Sequence, residues 1–291
     1  MPALTIRHVT TYRYRHPVAF GEHRMMLRPR DSHDQRVIDA TLGITPLPSS
    51  LRFDRDAFGN HVALAEFDAR ATELSFESVV SVEHWPSNPA DHVSGQEDLR
   101  FPVDYRDENE PDLADCLRRR HADPYDEIGG WARQYLDAAA PTGAFALLTR
   151  LSRGIQHQFL YRRREAKGIQ MPIETLTLGH GSCRDFAWLM VEAARALGFA
   201  ARFASGYLAD FNGPPQGAEG GATHAWAQVY LPRAGWIDFD PTSGSVGKNA
   251  LVTVAVAGDA GDALPLHGTF IGFASDPIGM EVRVSVTPGS T

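Results

Sequence analysis

Along the first 85 residues, hydrophobic and polar positions alternate in short runs. Those at 4–14, 37–45, 62–67 and 74–85 are rich in β-branched and aromatic side chains, and turn signals such as Pro46-Leu47-Pro48-Ser49-Ser50 and Phe58-Gly59-Asn60 separate them. Short strands at this spacing predict an antiparallel β-sandwich over 1–85. The alternation then stops. Residues 86–124 are polar, acidic and proline-rich, and read as a linker with little structure of its own. Beyond it the period is helical. Ile128, Trp131, Tyr135 and Leu136 mark a helix over 125–139 that Pro141 ends, and Phe145, Leu148, Ile155 and Phe159 mark a second over 143–159. A third opens at Ser182, with Phe186, Leu189, Met190, Ala193 and Leu197 at three- and four-residue intervals and Gly198 as its stop. Strands return at 199–209, 223–231 and 236–240. The pattern therefore predicts an α+β chain: a β-rich unit over 1–85, a linker over 86–124, and a core over 125–291 in which a helix packs on an antiparallel sheet, with a C-terminal β extension.

Composition narrows the function classes. The chain has 291 residues, 43% hydrophobic and 22% charged, which is ordinary globular usage and excludes a disordered polymer. Its 28 basic and 36 acidic residues give a net charge of −8, so no nucleic-acid partner is expected. Arg162-Arg163-Arg164 reads as a solvated turn. Lys167 and Lys248 are the only lysines, which leaves few amines for self-cross-linking. No stretch approaches the roughly 20 apolar residues of a membrane span, no basic-then-apolar leader opens the chain, and a cytoplasmic location is expected. The two cysteines, Cys116 and Cys183, exclude a disulfide framework or a cysteine-rich zinc module.

Of the two, Cys183 carries the chemistry. It follows Gly179-His180-Gly181-Ser182 at the start of the third helix, with Ser182 and Asp185 spaced as a capping box. A thiol there lies beside unpaired backbone N–H groups and the positive end of the helix dipole, which favour thiolate; Asp185 is expected to face the backbone instead of the sulfur. The helix end supplies only about 0.3–1 kcal/mol, so an activated cysteine also needs a charged partner. His224 is the candidate: it shares a strand face with Trp226, Gln228 and Tyr230. An aspartate on the following strand would orient the imidazole, and spacing alone does not choose between Asp238 and Asp240. Cys116, with no such neighbours, reads as a buried bystander.

These segments resemble the transglutaminase-like superfamily. Gly181-Ser182-Cys183-Arg184-Asp185-Phe186-Ala187, continuing through Ala196-Leu197-Gly198-Phe199-Ala200-Ala201-Arg202 to Ser205-Gly206-Tyr207, is similar to its nucleophile segment. Thr223-His224-Ala225-Trp226-Ala227-Gln228-Val229-Tyr230-Leu231-Pro232 is similar to its histidine strand, and Gly235-Trp236-Ile237-Asp238-Phe239-Asp240-Pro241-Thr242 to its aspartate strand. The three motifs stand 41 and then 16 residues apart, over about 140–245. The first 85 residues resemble the β-rich N-terminal region of bacterial members, and 252–286 their C-terminal end. There Ala257-Gly258-Asp259 departs from the family's Gly-Arg-Asp, so no arginine-dependent substrate contact is expected at that point.

The resemblance implies a papain-like core in which Cys183 is nucleophile, His224 general acid and base, and Asp240, not Asp238, the orienting carboxylate. It implies acyl transfer or hydrolysis at a carboxamide or peptide bond through a thioester, on a protein, a peptide or a small amide. The Cys183 N–H is one expected oxyanion donor; Gln170 and His180 are candidates for the second. A glycine- and proline-rich stretch at 206–221 reads as a loop near the site. No acidic run resembles a calcium loop, and neither metal nor cofactor is expected. Two other classes remain at this point: a noncatalytic peptide-binding relative, and a metalloprotein using Cys183, His224 and Asp240 as ligands.

Overall fold

The computed structural model describes residues 3–85, 99–108, 113–137, 142–163, 168–209, 222–247 and 250–289. In chain order the first strands are β1 (Ala3–Met25), β2 (Gln35–Thr45), β3 (Ser50–Arg55), β4 (His61–Glu66) and β5 (Arg70–His84). Helices α1 (Leu113–Leu117), α2 (Glu127–Arg133) and α3 (Ala144–Gln158) follow, then β6 (Leu160–Tyr161), α4 (Pro172–Leu178), β7 (His180–Gly181) and α5 (Cys183–Ala196). The chain continues through β8 (Ala201–Leu208), β9 (Ala222–Leu231), β10 (Gly235–Asp240), β11 (Ser245–Val246), β12 (Leu251–Ala257), a 3₁₀ turn (Ala260–Ala263), β13 (Leu266–Ile271) and β14 (Pro277–Pro288).

The N-terminal region is antiparallel β throughout, and its strands form one curled sheet. β1 is long enough to change partners along its length. Its first half lies between β5 and β14; past a register shift between Arg13 and Val18, it pairs with β13 and β4. Alternation along β1 and β5 sends Val18, Phe20, Met25, Leu74 and Phe76 into the curl. Leu4, Ile6 and Val82, with Val284 and Val286 of β14, join the buried cluster of the core, so one apolar interior runs through both regions.

The core sheet has the order β11-β10-β9-β8-β12, antiparallel in the pairs β10–β11, β10–β9, β12–β8 and β8–β9. Ala225, Ala227 and Val229 of β9 are fully buried with Phe186, Leu189, Met190 and Ala193 of α5, which is the expected helix-on-sheet packing. Gly206, paired directly with His224, is a close approach: a Cβ there would stand 2.0 Å from the Val252 carbonyl oxygen.

Three expectations change. The helix over 125–139 is short: after Gly129-Gly130, both poor helix formers, α2 ends at Arg133, and residues 138–141 lie outside those described. The acidic stretch is more ordered than a linker: Leu113 and Cys116 of α1 are buried with Ala200, and the Tyr105 hydroxyl donates to the Tyr230 carbonyl at 2.9 Å. Most of the loop expected over 206–221 lies outside the described residues, and its first three residues belong to β8. No helix among the described residues is long and apolar enough to cross a membrane.

Candidate active site

The site is assembled from the start of α5 and the adjoining parts of β9 and β10. α4 ends at Gly179, whose φ of 65° suits glycine, and β7 then delivers the chain to Ser182. Asp185 is fully buried and turns back on its own helix. Its Oδ2 accepts from the Ser182 backbone N–H and hydroxyl, each at 2.8 Å, and its Oδ1 accepts from the Gln170 N–H at 2.7 Å. The carboxylate therefore faces the backbone, as the capping spacing predicts, and fixes where Cys183 enters the helix.

His224 reaches this helix start from β9. Its Nε2 donates to Asp240 Oδ2 at 2.9 Å, and its ring also hydrogen-bonds the Cys183 side chain. Burial opposes a charge on the ring, but the hydrogen bonds to Asp240 and Cys183, and attraction to both, outweigh it and push the pKa from 6.5 up to about 10. Asp240 is correspondingly held below the usual carboxylate range. Burial acts against its charge, and His224, the Ser243 hydroxyl (2.7 Å) and the Thr242 N–H (2.9 Å) overcome it. The imidazole thus interacts with both the Cys183 side chain and the Asp240 carboxylate. Among the described residues no cluster of three or more His, Cys, Asp or Glu could hold a metal ion.

Geometry separates the two aspartates that spacing leaves open. Asp240 bonds His224, whereas Asp238 Oδ1 accepts from the Trp226 indole N–H and from Gln228 Nε2. Trp226 lies nearly parallel to His224, with ring centroids 6.2 Å apart, so Asp238 braces the aromatic ring that flanks the histidine. Trp226 and Ser243 join the site through the fold, beyond the residues that the sequence motifs mark. Ser243 is discoverable in retrospect, three residues beyond Asp240 in a tight turn.

The remaining candidates sit less centrally. Gln170 is buried, and its amide N–H₂ donates to the Thr175 hydroxyl and to the His180 carbonyl, both at 3.1 Å. His180 lies on β7, and its buried Nδ1 has no hydrogen-bond partner among the described residues. Cys116 is fully buried, and its backbone carbonyl accepts from Arg195 Nε at 2.9 Å. Arg162 and Arg163 are exposed, and Arg164 lies outside the described residues. At Gly258, where the family pattern has arginine, a Cβ would meet Asp115 Oδ2 at 2.7 Å and an Arg120 nitrogen at 2.8 Å; that ion pair fills the space. A cavity of about 360 Å³ lies on the outer sheet face near Arg30, Arg202, Trp236 and Asp238. Neither Cys183 nor His224 lines it, so it is not the reaction site.

Known protein families match two stretches of the chain. The bacterial transglutaminase-like N-terminal region matches residues 4–83, and the transglutaminase-like superfamily core matches residues 131–241. Uncharacterized protein Rv2569c of Mycobacterium tuberculosis is 28% identical over 97% of this chain and 92% of its own length. Uncharacterized protein ML0607 of Mycobacterium leprae is 24% identical over 97% of this chain and 98% of its own. Among solved structures, a candidate cysteine protease from Cytophaga hutchinsonii shares the fold, with a TM-score of 0.74 and 22% identity over 100% of this chain and 92% of its own. The core family supports cysteine-dependent catalysis in general, and residues 131–241 form a transglutaminase-like superfamily core behind the bacterial type of N-terminal region over 4–83.

Proposed function

We propose that the chain is a cysteine-dependent enzyme that breaks a carboxamide or peptide bond through a thioester and passes the acyl group to water or to an amine. The observation that carries this reading is His224, hydrogen-bonded to both Cys183 and Asp240 and held as a cation well above neutral pH. A charged imidazole beside a sulfur favours the nucleophilic, deprotonated form of a thiol. The thiolate attacks the carbonyl carbon, a C–S bond forms, and the carbonyl π pair moves to oxygen. As the tetrahedral species collapses, the C–N bond breaks and His224 gives its proton to the departing nitrogen. The second half runs in reverse: water or an amine attacks the thioester, His224 takes its proton, and the Cys183 thiolate leaves. Asp240 keeps the ring oriented and its charge compensated throughout. The substrate in this reading is a polypeptide side chain, a peptide bond or a small amide.

The test compares wild type with Cys183→Ala on amide and peptide pools, with and without added primary amine. Ammonia release, peptide cleavage and amine incorporation report three separate fates of the acyl group. Wild type is expected to produce at least one of them and Cys183→Ala none; equal rates for the two proteins would refute thiol catalysis.

A further inference from the structure

Acyl transfer develops negative charge on the carbonyl oxygen, and stabilising it takes more than one well-placed donor. The Cys183 backbone N–H is one, because the first N–H groups of a helix have no partner within it. Gln170 is committed elsewhere, with its amide N–H₂ donating to Thr175 and the His180 carbonyl.

A different group is brought to the sulfur by the short parallel pair β6–β7. Leu160 N–H donates to the Gly179 carbonyl and Arg162 N–H to the Gly181 carbonyl, both at 2.8 Å, which sets Tyr161 directly opposite Gly181. Paired residues of neighbouring strands share a face, so Tyr161 and Gly181 point one way and Leu160 and His180 the other. The Gly181 side faces the first turn of α5: a Cβ there would stand 2.8 Å from Asp185 Cβ and 3.4 Å from Phe186 Cε1. The Tyr161 ring meets Phe186 edge-on, with centroids 6.3 Å apart at 74°. Phe186 is three residues after Cys183, and side chains at that spacing are neighbours on a helix. Tyr161 therefore lies over the same side of the first turn as the sulfur. Burial raises its phenol pKa, and the charge on Cys183 raises it further, against Arg163, so the phenol stays protonated and able to donate. Its hydroxyl has no hydrogen-bond partner among the described residues, and the side chain is 51% exposed, open to a substrate entering from solvent.

We propose that the Tyr161 hydroxyl is the second oxyanion donor, completing with the Cys183 N–H a two-donor cradle for the carbonyl oxygen; the assignment rests on the thioester reaction proposed above. In that cradle the phenol donates to the oxygen as the C–S bond forms, and its proton stays on Tyr161 when the C–N bond breaks.

Tyr161→Phe keeps the ring and its contact with Phe186 and removes only the donor. Two reactions of Cys183 are followed on the intact chain: acylation by a p-nitrophenyl ester, which passes through an oxyanion, and alkylation by iodoacetamide, a displacement at saturated carbon that does not. The expected result is acylation slowed by about 100-fold or more with alkylation within about threefold of wild type. Acylation within about threefold of wild type would overturn the Tyr161 assignment. Parallel losses in both reactions would also overturn it, because they report a displaced thiol instead of a missing donor. A wild-type chain whose Cys183 takes no acyl group would overturn the thioester reading itself, and this proposal with it.

Discussion

Replacing Asp240 with asparagine tests whether this carboxylate holds the charge on His224. The substitution keeps the side chain's shape and an acceptor oxygen for His224 Nε2, now 2.9 Å from Asp240 Oδ2, while removing the negative charge. In the native site burial works against the imidazolium, and Asp240 and Cys183 together raise the pKa from 6.5 to about 10. That elevation corresponds to about 5 kcal/mol in favour of the charged ring. Asp240 supplies one of the two attractive charges, and that charge also strengthens its hydrogen bond to the ring, which a neutral amide oxygen accepts more weakly. Its loss is expected to remove about half of the elevation, moving the titration down by about two pH units. NMR titration of the imidazole and the alkaline limb of kcat/KM should both move to lower pH. Stability follows the same sign. Folding raises the His224 pKa above its unfolded value, so the stabilisation is complete below pH 6.5 and is lost as pH rises through about 10. Asp240→Asn should therefore be less stable at pH 7 by about 2–3 kcal/mol in urea unfolding, with the gap closing as pH rises from about 8 to about 10. An imidazole that still titrates near its native value in the variant would refute the reasoning, because the charge would then be held by something other than Asp240.

Three further perturbations follow from the packing. Gly206→Ala places a Cβ against the Val252 carbonyl opposite His224, and a loss of about 2 kcal/mol or more, read as a lowered Tm, is expected; an unchanged Tm would show that β8 and β12 separate freely. Asp185→Ala leaves the buried N–H groups of Ser182 and Gln170 without an acceptor, so about 2–3 kcal/mol of stability should go, with a slower Cys183 reaction because the helix start shifts; full activity with full stability would count against the cap. His8 is buried between the regions, bonded through Nδ1 to the Tyr207 hydroxyl and through Nε2 to Thr10, each at 3.0 Å, and burial lowers its pKa to about 4. Folding thus favours the neutral ring, and about 3 kcal/mol of stability is lost as pH falls from 6.5 to about 4. His8→Gln should flatten that slope in urea titrations across the window, and an equal slope in both proteins would assign the acid sensitivity elsewhere.

What could be seen in the sequence was local. The Ser182–Asp185 cap, the buried stripe Phe186, Leu189, Met190 and Ala193, and the face shared by His224 and Trp226 depend on residues a turn or a strand apart, where periodicity is informative. The choice between Asp238 and Asp240 came only with the family pattern, because both lie on one strand face. Tyr161 was not visible because a two-residue strand has no period, and its partner Gly181 has no side chain to mark the register. β14 reads as alternation, yet nothing in 277–288 announces that it pairs with β1, whose residues lie more than 250 positions earlier. Contacts of that separation are set by which apolar faces remain uncovered, a property of the assembled molecule.

That late pairing bears directly on the nucleophile. Arg184, the residue after Cys183, stacks over Phe203 and donates through one guanidinium nitrogen to the Ala260 carbonyl at 3.1 Å and the Ala263 carbonyl at 3.4 Å. The Ser205 hydroxyl donates to the same Ala263 carbonyl at 2.9 Å, so the 3₁₀ turn is bound from both α5 and β8. The chain then passes into β13 and β14, which close on β1. β1 in turn is tied to β8 through His8 and Tyr207, whose hydroxyl donates to the Leu27 carbonyl at 3.2 Å. The helix that carries Cys183 and the strand opposite His224 are thus held through the N-terminal sheet as well as through the core. The curled sheet is on this reasoning part of what positions the thiol, not a separate appendage to it.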